Sequence, residues 1–278
     1  MTAKRKASSG TKQRATLARR ASSTTRRRAS PTTTRRPSSN PKRTSDTLVY
    51  IGPTLPADEV RALLPSATVL PPAAVGDILR AARKRGVKRI ALVDGYFERM
   101  AAVWHKEILV ALERGIAVYG AASMGALRAA ELAPFGMIGV GAIYRDFARG
   151  MLVADDEVAV AHLPVEHGYR AVSDALVNIR DGLARAVKAR VIDRSLHDQL
   201  VELARARFYR ERSWAQLLTD ARAAGLAVEP LATRAKPDRK AEDARLLLRR
   251  LRTDRTAKPP RIRVPRTWAL RQLESLML

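Results

Sequence analysis

A serine set where a strand gives way to a helix can act as a nucleophile, and this chain carries one in Tyr119-Gly120-Ala121-Ala122-Ser123-Met124-Gly125-Ala126-Leu127-Arg128. Small residues around such a serine let the backbone turn tightly. The first free N–H groups of the helix, here those of Met124 and Gly125, can stabilise an oxyanion or bind a carboxylate. The segment departs from Gly-x-Ser-x-Gly, because Ala121 stands in the place of the first glycine. The ordinary job of a serine at such a junction is to cap the following helix.

A serine nucleophile needs a base, and the segment Val103-Trp104-His105-Lys106-Glu107-Ile108-Leu109 offers two, His105 and Lys106. On a helical wheel Ala101, Trp104, Ile108, Leu109 and Leu112 form an apolar stripe that includes His105 and leaves Lys106 on its flank, so the wheel favours His105. A lysine base must be neutral, which requires burial or a nearby cation to lower its pKa. Asp94, at the end of an apolar run, can bind a substrate group, orient a base or cap a turn. Arg128 and Glu131, one helical turn apart, suit an ion pair or an anion clamp. Three acids at Asp155-Asp156-Glu157 complement the start of a helix, and no histidine spacing supports a metal there. Gly136, Gly139 and Gly141 follow no expected strand and no phosphate-binding glycine loop is present, so no nucleotide cofactor is expected. With no cysteine in 278 residues, thiol nucleophiles, disulfides and iron–sulfur clusters are excluded.

These residues need a scaffold. Apolar runs at Leu48–Ile51, Thr68–Leu70, Ile90–Val93 and Ile116–Tyr119 read as buried strands. Helical patterns over Pro56–Leu64, Val75–Arg85 and about Glu98–Arg114 separate them. Continuous apolar strands alternating with crossover helices predict an α/β fold with a mostly parallel sheet, whose ligands gather beyond the carboxyl ends of the strands. Gly52-Pro53-Thr54, Asp94-Gly95-Tyr96 and Gly120–Ser123 occupy those ends. Beyond Ala130 the pattern predicts a glycine-rich turn over Gly136–Gly141 and helices over Ala142–Arg149, Asp156–His162 and Asp174–Arg190. Basic helical segments follow, broken at Lys258-Pro259-Pro260 and ending on an amphipathic stretch, Trp268–Leu278.

The net charge of +25 is unevenly spread. Residues 1–46 carry a surplus of +13, residues 47–190 only +3, and residues 191–278 +9. The first segment is built from Arg, Lys, Ser, Thr, Ala and Pro and is expected to be a disordered tail. It suits a nucleic-acid-binding arm, an organelle transit peptide or a passive extension. The expected organisation is therefore a tail over 1–46, an α/β domain over 47–190 and a basic helical extension over 191–278. No apolar run is long enough to span a membrane and no secretory signal is visible, so a cytoplasmic protein is expected.

Several segments in order, among them Ile51-Gly52-Pro53-Thr54-Leu55, Leu70-Pro71-Pro72-Ala73, Asp94-Gly95-Tyr96-Phe97, Val103–Ile108, Gly120–Leu132 and Phe135-Gly136-Met137, resemble the TfuA family. Asp155–Ala159 and Leu176-Val177-Asn178-Ile179-Arg180 extend the resemblance over about residues 48–190. It implies an accessory protein of bacterial YcaO enzymes, which install backbone thioamides in ribosomally made peptides or in a protein. The accessory role so implied is hydrolysis of the thiocarboxylate of a ThiS-like sulfur carrier, releasing sulfide, together with help in YcaO substrate engagement. The resemblance further implies a Ser–Lys hydrolase site, with Ser123 as nucleophile and Lys106 as base. Met124 and Gly125 would supply the oxyanion N–H groups, and Asp94, His105 and Arg128 are candidates for the surrounding pocket. Two other classes remain: a non-catalytic adaptor of a YcaO complex, and a nucleic-acid-binding protein acting through its tail.

Overall fold

The runs Thr47–Tyr50, Thr68–Leu70, Arg89–Leu92 and Ala117–Ala121 combine aliphatic and β-branched residues, and in the computed structural model they form strands β1, β2, β3 and β4. With β5 (Ile138–Val140) they make a wholly parallel five-stranded sheet in the order β2-β1-β3-β4-β5. The structure describes residues 45–97, 100–233, 236–254 and 259–276. Apart from Ser45 and Asp46, the expected tail lies outside them.

Side chains alternate across the sheet, as strand geometry requires. Leu48, Tyr50, Ile90, Leu92 and Val118 bury one face against α2 (Asp77–Arg83), α3 (His105–Glu113) and α4 (Met124–Leu132). Val49, Ile51, Ala91, Val93 and Tyr119 bury the other against α1 (Ala57–Leu63) and the late helix α10 (Arg239–Thr253). Parallel crossover units covered on both faces give a doubly wound α/β architecture followed by a helical C-terminal part, as the apolar runs predict.

Helix α5 (Ala142–Ala148) packs beside α4, with Ile143, Phe147 and Ala126 in one cluster. Helices α6 (Leu176–Lys188), α7 (Arg194–Ala206), α8 (Trp214–Ala223) and the short α9 (Glu229–Ala232) enclose a further core containing Leu183, Leu200, Trp214 and Leu231. Residue 190 falls between α6 and α7, which share that core, and the described residues from Ser45 onward belong to one compact unit. The C-terminal α11 (Trp268–Leu276) lays Leu270 and Leu273 against Leu79 and Val110. On α10, Asp243 accepts hydrogen bonds from the first two N–H groups of α5, Ala142 and Ile143, both at 2.8 Å. A helix from late in the chain thus caps one from its middle.

Three expected elements differ. The glycine-rich turn over 136–141 contains β5, which pairs in register with Tyr119–Ala121. A Cβ on Gly139 would lie 2.1 Å from the Tyr144 ring, so this strand uses glycine to admit an aromatic neighbour. The helix expected from about Glu98, itself outside the described residues, begins only at His105. Ala101 accepts a bond from Val75 N, and Glu107 reaches back to Trp104 N at 3.1 Å, fixing the helix start. The helix expected over 156–162 is a single 3-10 turn, Asp155–Glu157, after which the chain is irregular up to an isolated bridge between His162 and Ala171, and Ala161 N bonds the Ser173 hydroxyl.

Candidate active site

Four glycine- and alanine-rich strand ends meet above the sheet. Asp94, 1% exposed, follows β3 and binds the loop after β1: its carboxylate accepts from Gly52 N (2.9 Å), Thr54 N (3.0 Å) and Thr54 Oγ1 (2.6 Å). This fastens the point where the strand order changes direction, the customary ligand position in such sheets. Asp94 therefore acts first as the clamp of two loops, and it also lines the cleft they form.

Next to it, β4 ends in Ala121 and turns through Ala122, whose φ of +65° is one a residue with a Cβ adopts only at a cost of about 1–2 kcal/mol. The turn delivers Ser123 to the start of α4. Gly125 lets the helix rest directly on β3, since a Cβ there would fall 1.8 Å from Leu92 O. Its N–H donates to Val93 O at 3.1 Å. That corrects the expected pair of oxyanion donors: the Gly125 N–H is engaged in holding the helix to the sheet. Met124 lines the cleft, and its N–H, at the first helical position, has no protein acceptor among the described residues. Ser123 does not cap the helix with its side chain, so the ordinary role of a serine at this junction is unfilled.

The cleft encloses about 610 Å³ including its open mouth, with Pro53, Gly95, Tyr96, Ser123, His162 and Tyr209 in its walls. Along one side Tyr96 meets the His162 ring at a tilt, 6.0 Å between centroids, and His162 in turn meets Tyr169 edge to face behind it, while Phe97 meets Tyr209 at 5.6 Å on the other. The far wall is the turn Asp155–Glu157 and the strand-like run after it. Each acid of that turn has its own setting. Asp156 is bonded by the guanidinium of the buried Arg212 at 2.7 Å, Glu157 is held by Nε and Nη2 of Arg180 at 2.9 and 2.8 Å, and Asp155 lines the cleft. Arg212 also donates to Ala204 O, Asp156 O and Arg207 O, so a 1% exposed arginine pins the wall to α7.

The purpose of so firm a wall lies one residue on. The carbonyl of Val158 accepts from Ser123 Oγ at 3.5 Å and from Lys240 Nζ at 2.8 Å. Lys240 belongs to the first turn of α10 and is 3% exposed. Burial pushes its ammonium below the ordinary lysine value of 10.5, against the opposing pull of Asp94 and Asp238. Asn178 fixes the helix start that carries it, accepting from Lys240 N at 3.2 Å and donating to Asp238 at 3.0 Å.

Among the residues expected in the site, Ser123, Asp94 and Met124 meet at the cleft. Lys106 is half-buried on α3 and does not line the cleft. His105 is exposed at the first position of α3, where its Nε2 lies 2.8 Å from Glu131. The wheel that turned it inward assumed a helix already running through Ala101. Arg128, its side chain 13% exposed, bonds Val103 O at 3.1 Å and Glu131 at 2.7 Å, so it ties α4 to the chain just before α3 and does not line the cleft. Sequence reasoning missed Lys240, Arg212 and the supporting pair Asn178 and Arg180. The run Leu176-Val177-Asn178-Ile179-Arg180 gave one usable signal, since its two polar residues face the wall and the start of α10.

A family model described as TfuA-like protein matches residues 94–213, which hold Ser123, the cleft wall, Asn178, Arg180 and Arg212. The match begins later and ends later than the resemblance over 48–190, and it stops before α10. No curated protein matches the chain.

Proposed function

From the premise that this chain is TfuA-like over residues 94–213, we propose that it serves YcaO-dependent backbone thioamidation by hydrolysing the thiocarboxylate of a ThiS-like carrier protein and so releasing sulfide. The observation that carries this reading is Ser123. It stands on a strained turn at the carboxyl end of β4, with its hydroxyl free of capping duty and an unengaged N–H beside it on a cleft-lining residue. A serine so presented suits attack on an acyl carbon.

In the first half-reaction Ser123 Oγ bonds to the thiocarboxylate carbon as its proton leaves. The Met124 N–H faces the oxygen on which charge gathers, and the C–S bond then breaks. Sulfur departs as hydrosulfide, carrying the proton that the serine lost, and the carrier remains as an ester of Ser123. Water then attacks that ester, the C–Oγ bond breaks, the serine regains a proton and the carrier leaves as an ordinary carboxylate. Thiocarboxylate and water have become carboxylate and hydrogen sulfide, with no oxidant or cofactor consumed. The aromatic, glycine and proline residues of the walls suit a narrow, extended chain end better than a folded surface.

Sulfide release from a ThiS-like protein thiocarboxylate tests the reading, comparing wild type with Ser123→Ala, with and without the cognate YcaO enzyme. Release by the wild type that disappears in Ser123→Ala supports it. A fully active Ser123→Ala protein refutes the mechanism, and no release under any condition favours an adaptor role.

A further inference from the structure

Water that attacks the ester on Ser123 must give up a proton, and the serine must regain one. Hydrosulfide is a good leaving group and departs without an acid. Water is a poor nucleophile and a serine alkoxide a poor leaving group, so the second half-reaction is the one that most needs a proton carrier. Resting on the hydrolase reading, we infer that His162 is that carrier: it takes a proton from the attacking water and returns it to Ser123 Oγ.

His162 lines the same cleft as Ser123. The wall between them is continuous: Val158, whose carbonyl meets Ser123 Oγ at 3.5 Å, is followed by Ala159, Val160 and Ala161, all in the cleft lining, and then by His162. The ring's Nδ1 lies 2.8 Å from Leu163 O. A carbonyl can only accept, so Nδ1 carries the hydrogen and the neutral ring keeps its lone pair on Nε2. Nε2 has no hydrogen-bond partner among the described residues. A half-buried imidazole with one nitrogen tied to the backbone and the other open is in the form that a proton acceptor requires. Asp94, Asp155 and Arg210 also line the cleft and suit the task less. Asp94 is engaged by three hydrogen bonds, Arg210 has no lone pair to offer, and Asp155 is an exposed carboxylate, a class of base weaker than imidazole.

The ring is held in place as well as oriented. Tyr96 meets it at 6.0 Å and Tyr169 at 5.8 Å, the latter from a backbone φ of +58° that few residues with a Cβ adopt. His162 pairs with Ala171 in an antiparallel bridge, Val172 N donates to Ala161 O at 2.8 Å, and Leu163 N donates to Arg170 O at 2.9 Å. The backbone is thus fixed on both sides of the ring. In the reaction, Nε2 takes a proton as the bond from the water oxygen to the acyl carbon forms. It gives that proton to Oγ as the C–Oγ bond breaks, which leaves ring and serine as they began. The carrier departs as a carboxylic acid and loses its own proton to solvent. Because His162 serves the water, its loss should slow deacylation and spare acylation, so kcat and KM should fall together while kcat/KM keeps its wild-type value.

The test uses the full chain and His162→Asn, whose side-chain amide can still donate to Leu163 O but offers no ring nitrogen. Two substrates are followed, the thiocarboxylate of a ThiS-like carrier and 4-nitrophenyl acetate, with mass spectrometry of the intact protein to detect an ester on Ser123. The small ester reports the second half-reaction whether or not the carrier is the true substrate. For His162→Asn the expected result is a burst of about one equivalent of sulfide or nitrophenolate, followed by turnover lowered about 100-fold or more, with the ester trapped on Ser123. A merely structural histidine would not separate the two half-reactions. Wild-type turnover in His162→Asn, or acylation and deacylation slowed alike, overturns the inference and leaves the hydrolase reading standing. Hydrolysis of acetyl-Ser123 that depends on His162, without sulfide release from the carrier, overturns that reading and leaves the inference standing. Wild-type protein acylated at Ser123 by neither substrate overturns both. Should His162→Asn fail to fold, His162→Ala decides the matter: free imidazole should restore loss of the ester from Ser123, and an ester that persists at the same level with and without imidazole refutes the inference.

Discussion

Replacing Arg212 with methionine tests the claim that one buried arginine holds the cleft wall in place. Its guanidinium donates to three backbone carbonyls, Ala204 O at 2.9 Å, Asp156 O at 3.2 Å and Arg207 O at 3.1 Å, and to the Asp156 carboxylate at 2.7 Å. Methionine keeps most of the aliphatic volume, so the loss is of hydrogen bonds rather than packing. Three carbonyls left without a donor cost about 1 kcal/mol each, at the low end of the range for buried groups. The Asp156 side chain is 34% exposed and can rehydrate, so its ion pair adds about 1 kcal/mol or less. The expected destabilisation is about 3–4 kcal/mol in urea unfolding, and roughly 6–15 °C in Tm for a domain of this size. Asp156→Asn, which leaves the carbonyl bonds in place, should cost about 1 kcal/mol or less. Because the wall sets the Val158 carbonyl that meets Ser123 Oγ, sulfide release should also fall in Arg212→Met at temperatures where the variant is folded. A loss below about 1 kcal/mol for Arg212→Met, or equal losses for the two variants, would refute the assignment of the stabilisation to the carbonyls.

Three further outcomes are expected. Gly125→Ala drives a Cβ to 1.8 Å from Leu92 O, so it should lower the melting temperature far more than Gly115→Ala, whose Cβ meets nothing within 4 Å and whose φ of +78° costs only about 1–2 kcal/mol. Burial raises the carboxyl of Asp243 above its ordinary value of 3.8, so between that value and its folded pKa the native state holds the extra proton. Its contribution to stability is therefore greatest in acid and is lost as pH rises through the folded pKa, and Asp243→Asn should show a smaller fall in urea-unfolding stability than wild type over that interval. Asp193 caps α7 by accepting from Leu196 N at 2.8 Å, and Asp193→Ala should cost about 1 kcal/mol by the same measurement.

Much of the scaffold is legible in the sequence because its signals are local. Leu48–Ile51 and Ile90–Val93 are apolar at every position, and only a strand covered on both faces uses such a run at that length. The elbow at Ser123 is legible for the same reason, since small residues on both sides of a serine serve one turn. What escaped depends on partners far apart in the chain. The β5 run Ile138-Gly139-Val140 is too short and too rich in glycine to read as a strand until Tyr144 is seen filling the place of the missing side chain. His105 looked inward only because the helix start is set by Glu107 reaching back to Trp104, which cuts the apolar stripe short. Lys240 lies in Arg239–Thr253, a run whose many charges describe a solvated helix, and its buried role appears only when residue 158 is brought to it across the fold.

The sheet face lined by Val49, Ala91 and Tyr119 is closed by a helix that ends at Thr253. During synthesis, when chains lengthen by about 5–20 residues per second, the strands and the elbow leave the ribosome more than a hundred residues before that covering helix does. A nascent chain therefore presents that face with α1 alone against it for several seconds or longer. The same late helix brings Asp243 to cap α5 and Lys240 to the elbow, so closure of the core and arrival of the amine are one event. A product released early, at any point before residue 239, has neither, and keeps α1 alone on that face of the sheet.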